Sequence, residues 1–314
     1  MVSASAGIKA LGYLVVETAK PEEWDRFLTE FVGVMRTGDA PDGAALYRVD
    51  DRVFRFRIEA GAREWLVAAG YEVVDRAALD ALAAKVAAAG RPVAWASADE
   101  AQGRGAEAMF RTSDPAGNGL ELYCGDARTD APFVSPIGVP GFVTGDMGLG
   151  HAVFCAPNFD ETVAFHRNVL GFHETDMPCF QLFGPEGPSM SFVFMHADNG
   201  RHHSIALAEG GIPPSGAVHI MLELPTLIDV GMAHDRMKRF GYPESATLGR
   251  HVNDETTGFY VQTPAGFDLE IGCDSLVIDP ASWVVTRHEG ISVWGHEWAW
   301  QKAMKEQAQQ GEQA

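Results

Sequence analysis

The chain has 314 residues, 46% of them hydrophobic, values typical of a globular protein large enough for two domains. Its formal net charge of −19 argues against nucleic acid and anionic membranes as partners. The apolar runs are too short for a membrane span, and we expect no signal peptide at the N-terminus. The four cysteines have no CxxC spacing, which favours a reducing compartment, so we expect a cytoplasmic protein.

The predicted elements occur twice along the chain. Three pairs of segments match: 11–35 with 149–172, 65–93 with 217–243, and 113–126 with 263–274. The first pair predicts a strand, a proline-containing turn and an amphipathic helix that ends near a glycine. The second pair predicts a strand, a turn and a long helix. The two halves therefore read as copies of one plan.

The composition places a boundary between the copies. Residues 131–146, APFVSPIGVPGFVTGD, are rich in proline and glycine, as linkers between domains are. We predict two tandem domains, at 1–135 and 146–285, and a C-terminal extension at 286–314. The tail of that extension, from Gln301, is polar, and we expect it to be frayed or disordered.

Three aligned positions distinguish the copies. Tyr13 aligns with His151, Ala68 with His219, and Glu121 with Glu270. Each histidine alone is compatible with a core position, and the shared glutamate with a role in the fold. Duplicated packing would keep similar residues in both copies, however, so the replacement of two positions out of three favours a ligand role in the second copy.

Two imidazoles and one carboxylate on one face, with coordination positions left open, form the ligand set of non-haem Fe(II) oxygenases. The same three groups can hold a catalytic zinc or nickel ion. A closed structural zinc site has four protein ligands, and the sequence offers no fourth ligand at comparable spacing. These residues therefore predict a catalytic divalent metal and leave its identity open.

Longer motifs resemble those of a known family. They are MGLGHAVF (147–154), GRHHSIALA (200–208), AVHIMLEL (217–224) and LGRHVNDETTGFYVQTPAGFDLEIG (248–272). With these motifs the chain resembles the type I extradiol catechol dioxygenases of the vicinal oxygen chelate superfamily. It is most similar to members that cleave bulky catechols, namely 2,3-dihydroxybiphenyl or a steroid-derived catechol. The resemblance covers nearly the whole chain.

The resemblance implies an α+β fold in which each domain consists of two βαβββ modules that form an open barrel. Only the C-terminal barrel would be active. The implied iron ligands are His151, His219 and Glu270, and the implied acid–base residue is His203. The residues implied to face the substrate are His203, His251, Asn253, Asp254, Tyr260 and Val153; among them, His251 and Tyr260 would hydrogen-bond the catechol.

We therefore predict extradiol ring cleavage of a bulky 3-substituted catechol with O2 at non-haem Fe(II), in aromatic or steroid catabolism. The resemblance also implies a homo-oligomer. Two alternatives remain: another metal-dependent enzyme of the same fold, such as a glyoxalase or isomerase using zinc or nickel, or a metal-free protein that binds small molecules. The sequence does not identify the catechol.

The remaining histidines and the tryptophans are expected to have no catalytic role. His202 is expected to lie in the structure or at the surface without a catalytic role. The tryptophans near the C-terminus, Trp294, Trp298 and Trp300, are expected to serve packing or subunit contacts. Five further histidines are expected to be exposed or structural, since nothing in the sequence pairs them: His166, His173, His196, His234 and His288.

Overall fold

The computed structural model describes residues 7–180 and 189–304. Within them, the first half of the chain forms a mixed sheet of eight strands in the order β2-β3-β4-β1-β5-β8-β7-β6. Its strands are β1 (Ile8–Thr18), β2 (Met35–Asp39), β3 (Ala45–Arg48), β4 (Phe56–Ala60), β5 (Trp65–Val73), β6 (Ala94–Trp95), β7 (Ala108–Ser113) and β8 (Gly119–Cys124). Its helices are α1 (Pro21–Arg26), α2 (Arg76–Ala88) and α3 (Ala98–Gly103).

The second half forms a sheet of the order β10-β12-β13-β9-β14-β17-β16-β15-β18, with β11 paired to β12. Its strands are β9 (His151–Ala156), β10 (His173–Asp176), β11 (Cys179–Phe180), β12 (Met190–His196), β13 (Ile205–Glu209), β14 (His219–Glu223), β15 (Glu244–His251), β16 (Thr257–Gln262), β17 (Asp268–Cys273) and β18 (Ser292–Trp294). Its helices are α4 (Phe159–Phe165) and α5 (Leu227–Phe240). Apart from β11 and β18, the order repeats that of the first sheet.

The predicted fold class is confirmed. Each half contains two βαβββ modules, and antiparallel pairing of their first strands, β1 with β5 and β9 with β14, joins the modules into one sheet. Parallel pairs flank this seam on both sides: β1 with β4, β5 with β8, β9 with β13, and β14 with β17. Both sheets are open rather than closed barrels.

The strand registers support the alignment of the two copies. At the seam, Val15 pairs with Ala68 in the first sheet, and Val153 pairs with His219 in the second. On the neighbouring ladder, Gly70 lies opposite Glu121, and Met221 lies opposite Glu270. The three aligned positions therefore occupy equivalent places in the two sheets.

Local signals explain where the helices begin and end. In each half the first helix continues into a π-helical turn, Phe27–Val32 or His166–Leu170. The turns end at Gly33 and Gly171, whose φ angles of 90° and 86° favour glycine. Helix α5 starts at Thr226, whose hydroxyl accepts a hydrogen bond from the backbone of Asp229 at 3.3 Å.

The two halves share one hydrophobic core, which contains buried side chains from both sheets. Tyr71 and Phe172 pack edge to face across the boundary, with ring centroids 5.2 Å apart. The buried Asp114 and Asn118 of the first half meet the second half, where His166 Nε2 lies 3.2 Å from Asp114 Oδ2. The amide of Asn118 donates to the carbonyl of Cys155 at 3.2 Å. The halves thus pack as one unit.

The division into 1–135, 146–285 and 286–314 stays a prediction. In the tail from Gln301, expected to be frayed or disordered, residues 301–304 are helical, whereas residues 305–314 lie outside the described residues. No helix in the described parts of the chain has the length and apolar character needed to cross a bilayer.

Candidate metal centre and active site

Three central strands of the second sheet bring the predicted metal ligands together. His151 begins β9, His219 begins β14, and Glu270 lies within β17. His151 Nε2 lies 3.2 Å from His219 Nε2 and 3.3 Å from Glu270 Oε2, and His219 Nε2 lies 3.5 Å from the same oxygen. Ligand atoms about 2.0–2.2 Å from one ion are about 3 Å apart when they subtend a right angle. The spacing therefore fits a single ion.

The first half shows what a buried glutamate needs at this place in the sheet. Glu121 accepts hydrogen bonds from the Tyr13 hydroxyl at 2.7 Å, from Arg104 Nε at 3.0 Å and from Arg111 Nε at 3.1 Å. Two guanidinium groups thus neutralise this carboxylate. Glu270 is only 1% exposed, and no lysine or arginine is among the described residues that line its pocket. A bound cation would take the place of the guanidinium groups that surround Glu121.

The protonation of His219 and Glu270 suits a metal. Burial lowers the pKa of His219 to about 3, against the opposing charge of Glu270. Burial raises the pKa of Glu270, but hydrogen bonds and charge from His151 and His251 outweigh this effect and hold it well below its ordinary value. A neutral imidazole and an ionised carboxylate are the forms that bind metal ions.

Two further predicted residues lie beside the acid. His251 Nε2 lies 2.8 Å from the Tyr260 hydroxyl and 3.4 Å from Glu270 Oε1. Burial lowers the pKa of His251, but the hydrogen bond and charge of Glu270 outweigh burial and raise it to about 9. Burial raises the pKa of Tyr260 well above its ordinary value, so the phenol keeps its proton. Both side chains can therefore donate a hydrogen bond at this end of the pocket.

His203 lies on the opposite side of the ligand set. It precedes β13, and its ring stacks on His151 with centroids 3.9 Å apart. Burial, together with the charges of His151 and His202, lowers the pKa of His203 well below its ordinary value. A neutral imidazole of this kind can accept a proton from a substrate in the pocket.

The three remaining predicted residues complete the pocket. Val153 lies on β9, two residues after His151, and therefore on the same face of the strand. Asn253 and Asp254 follow β15 in a turn in which Asp254 Oδ1 accepts a hydrogen bond from the backbone of Thr256 at 3.1 Å. All nine residues singled out by the sequence line one pocket. Their roles stay predictions.

Comparisons with known proteins agree with this arrangement. Residues 11–61 match the family model "Dihydroxybiphenyl dioxygenase BphC D1", and residues 148–271 match "Glyoxalase/Bleomycin resistance protein/Dioxygenase superfamily". A biphenyl-2,3-diol 1,2-dioxygenase of Pseudomonas sp. (strain KKS102) is 43% identical, over 92% of this chain and 97% of its own. The chain belongs to the extradiol catechol dioxygenase family.

Two more proteins similar to this dioxygenase extend the comparison. An iron-dependent extradiol dioxygenase of Rhodococcus jostii (strain RHA1) is 36% identical, over 93% of this chain and 98% of its own. The crystal structure of 2,2',3-trihydroxybiphenyl 1,2-dioxygenase from Sphingomonas wittichii strain RW1 superposes with a TM-score of 0.81 at 34% identity, covering 93% of this chain and 99% of that one. The protein is therefore an enzyme, and the alternative of a metal-free binding protein is set aside.

The apolar wall of the dioxygenase pocket was not predicted. Phe180, Phe192 and Phe194 form a row on β11 and β12, with successive ring centroids 5.3 and 6.4 Å apart. The row ends at His203, 4.9 Å from Phe194. Phe192 and Phe194 are two residues apart in a strand whose intervening Val193 is buried in the core, a signal that was available in the sequence.

The C-terminal extension supplies another part of this wall. Ile291, Trp298 and Trp300 line the pocket, and Trp298 packs on Tyr260 with centroids 4.8 Å apart. The expectation that Trp298 and Trp300 serve packing or subunit contacts therefore missed their place in the pocket. These residues lie outside the duplicated segments, so comparison of the two copies could not identify them.

The five other histidines, expected to be exposed or structural with nothing to pair them, do have partners in the structure. Each contacts a polar group: His166 with Asp114, His173 with Asp198, His196 with Thr175, His234 with Glu244, and His288 with Thr286. His202 is not at the surface, because it is 2% exposed and its Nδ1 lies 3.1 Å from His203 Nδ1. With Asp254, these two histidines form a second group whose possible ligand atoms lie within 4.8 Å of one another.

Proposed function

We propose that this dioxygenase opens the ring of a bulky 3-substituted catechol of the 2,3-dihydroxybiphenyl type, next to its two hydroxyls. It would use O2 and a ferrous ion held by His151, His219 and Glu270. The carrying observation is that these three ligand atoms converge, with no lysine or arginine among the lining residues, at the end of a pocket walled by aromatic rings. The names of similar proteins, which include biphenyl-2,3-diol and iron-dependent dioxygenases, support the same substrate and metal.

A bound ferrous ion would supply the charge that lowers the pKa of a catechol hydroxyl, and it would hold the catechol and O2 next to each other. The protein contributes three ligands from rigid central strands. Because the ligand atoms face the pocket, the catechol hydroxyls and O2 can approach from that side.

The surrounding polar side chains would transfer protons to and from the substrate and donate hydrogen bonds to it. His203, neutral and stacked on His151, would take a proton at Nε2 from the catechol and return it to the product. Tyr260 and His251 would donate hydrogen bonds to the negative oxygen that remains. Val153, Asn253 and Asp254 would complete the wall around the ring.

The row of phenylalanine rings in the pocket wall explains why the substrate should carry a bulky 3-substituent. It runs outwards from His203 through Phe194 and Phe192 to Phe180. A catechol bound beside His203 would direct its 3-substituent along this row, where an aryl group can form stacked or edge-to-face contacts. A small catechol would leave this apolar surface uncovered.

The test is a panel of 3-substituted catechols assayed with enzyme loaded anaerobically with Fe(II). We expect one ion per chain, O2 uptake equal to the catechol consumed, a yellow ring-fission product, and the highest kcat/KM for an aryl-substituted catechol. The panel includes a steroid-derived catechol, since that substrate class, like the homo-oligomer and the cytoplasmic location, stays a prediction.

Two controls separate the outcomes. Protein loaded with Zn(II) or Ni(II) and assayed for glyoxalase and isomerase activity tests the other metal-dependent reactions of this fold. Absence of ring cleavage by the Fe(II) enzyme with every catechol would contradict the proposal. A preference for unsubstituted catechol would contradict only the assigned substrate.

A further inference from the structure

A chain of three buried side chains leads away from the pocket behind His203. His203 Nδ1 lies 3.1 Å from His202 Nδ1, and His202 Nε2 lies 3.1 Å from Asp176 Oδ2. The three residues are 3%, 2% and 0% exposed. The chain thus joins a residue of the active site to a carboxylate in the interior.

Asp176, at the interior end of this chain, determines which nitrogen of His202 carries the hydrogen. His202 Nε2 and Asp176 Oδ2 have no hydrogen-bond partner of good geometry among the described residues, yet they are 3.1 Å apart. The carboxylate oxygen, 3.1 Å away in a buried site, repels a lone pair on Nε2 and attracts a hydrogen there, even at an oblique angle. His202 therefore carries its hydrogen on Nε2, even though the contact is not a straight hydrogen bond.

The hydrogen on Nε2 determines the rest of the chain. A neutral His202 with its hydrogen on Nε2 can only accept at Nδ1. His203 must then donate from its own Nδ1 across the 3.1 Å contact. The charge of Asp254, with Oδ2 4.0 Å from the same nitrogen, also favours a hydrogen there. The other nitrogen of His203, Nε2, is then left with a free lone pair.

The unused nitrogen of His203 agrees with this result. Its Nε2 is buried and has no hydrogen-bond partner among the described residues, and the ring lines the pocket. We propose that Asp176, acting through His202, holds His203 in the Nδ1–H tautomer, so that its Nε2 is ready to accept the proton of a catechol hydroxyl. In this step the O–H bond breaks, an N–H bond forms, and the substrate becomes an anion beside an imidazolium.

The C-terminal extension holds the carboxylate in place. The Thr286 hydroxyl donates a hydrogen bond to Asp176 Oδ1, and the Thr286 backbone pairs with β10 through the carbonyl of Thr175 at 3.1 Å. Trp283 covers His202 edge to face, with ring centroids 5.7 Å apart. Asp176 and His202 are therefore positioning residues, because neither lines the pocket.

The tautomer can be measured without any catalysis. We would label the histidines of the metal-free protein with ¹⁵N and record two-bond ¹H–¹⁵N correlation spectra, assigning His203 by comparison with His203→Gln. We expect wild-type His203 to carry its hydrogen on Nδ1 and none on Nε2. A hydrogen on His203 Nε2 would overturn the proposal, since His202 would then be the donor, as an imidazolium paired with Asp176.

Asp176→Asn is the sharpest variant because it keeps the shape of the side chain. The amide can donate to His202 Nε2, which would reverse both hydrogens in the chain and place one on His203 Nε2. A change of this kind, outside the direct contacts of the metal, typically costs about 10–100-fold in activity. We expect that loss in kcat with iron content unchanged.

His196→Gln is the matched control. His196 is also buried, but its Nδ1 contacts the Thr175 hydroxyl at 2.8 Å, and it makes no hydrogen bond to Asp176, His202 or His203. We expect the His196→Gln variant to match wild type both in the tautomer of His203 and in kcat. The catalytic part of the inference rests on the proposed function, whereas the tautomer does not: an inactive wild type with Nδ1–H on His203 would count against the function alone. An inverted tautomer in Asp176→Asn with unchanged kcat would overturn the positioning role.

Discussion

Replacement of Phe192 by alanine should reduce the preference for aryl-substituted catechols without harming the chemistry. Phe192 is half-buried in the pocket wall, one ring further from His203 than Phe194. Loss of one aromatic pair costs about 1 kcal/mol, and about 40 Å² of lost apolar contact at 25 cal/mol per Å² costs about 1 kcal/mol more. A sum of about 2 kcal/mol corresponds to a roughly 30-fold loss in kcat/KM.

The assay compares kcat/KM for 2,3-dihydroxybiphenyl and for unsubstituted catechol. We expect the roughly 30-fold loss for the first substrate and little change for the second. Phe192→Leu should recover part of the loss because it restores apolar contact without the ring. Phe142→Ala is the control, because Phe142 is equally half-buried but lies outside the pocket. Equal losses for both substrates, or none for either, would refute the assigned position of the substituent.

Three further predictions concern single residues. Glu270→Gln should abolish iron binding and ring cleavage. Glu121→Gln, at the equivalent place in the first half, should keep its iron but lose about 3 kcal/mol of unfolding free energy. Iron analysis measures the metal content of each variant, and urea unfolding measures its stability. Asp114→Asn should also cost about 3 kcal/mol because it removes the partner of His166. Burial raises the pKa of Asp114, but the hydrogen bond and charge of His166 outweigh burial and lower it. The stabilisation is therefore complete above the unfolded pKa of about 3.9 and is lost as pH falls further. The difference in unfolding free energy between wild type and Asp114→Asn should therefore be large at pH 7 and smaller at pH 3. Tyr260→Phe removes the 2.8 Å contact with His251 and should lower kcat/KM by about tenfold.

The sequence alone could predict the three candidate metal ligands because the protein contains its own comparison. His151, His219 and Glu270 were found by alignment with Tyr13, Ala68 and Glu121. The strand registers place the two sets at equivalent positions. The other polar residues of the pocket, among them His203, His251 and Tyr260, were implied by the family resemblance and not by the comparison of the two copies.

Contacts between distant segments could not be predicted in this way. Trp298 reaches the pocket from beyond the duplicated region, and no periodic pattern in the chain indicates that return. His202 looked structural because its partner Asp176 lies 26 positions earlier in the chain and meets it only through the packing of β10 beside the loop that precedes β13. Such pairings depend on tertiary packing rather than local pattern.

The most direct test of the central claim is the location of iron in crystals of the Fe(II)-loaded enzyme, by anomalous scattering at the iron absorption edge. We expect one peak, about 2.0–2.2 Å from the ligand atoms of His151, His219 and Glu270. A peak at the group formed by His202, His203 and Asp254, or beside Glu121 in the first half, would contradict the account.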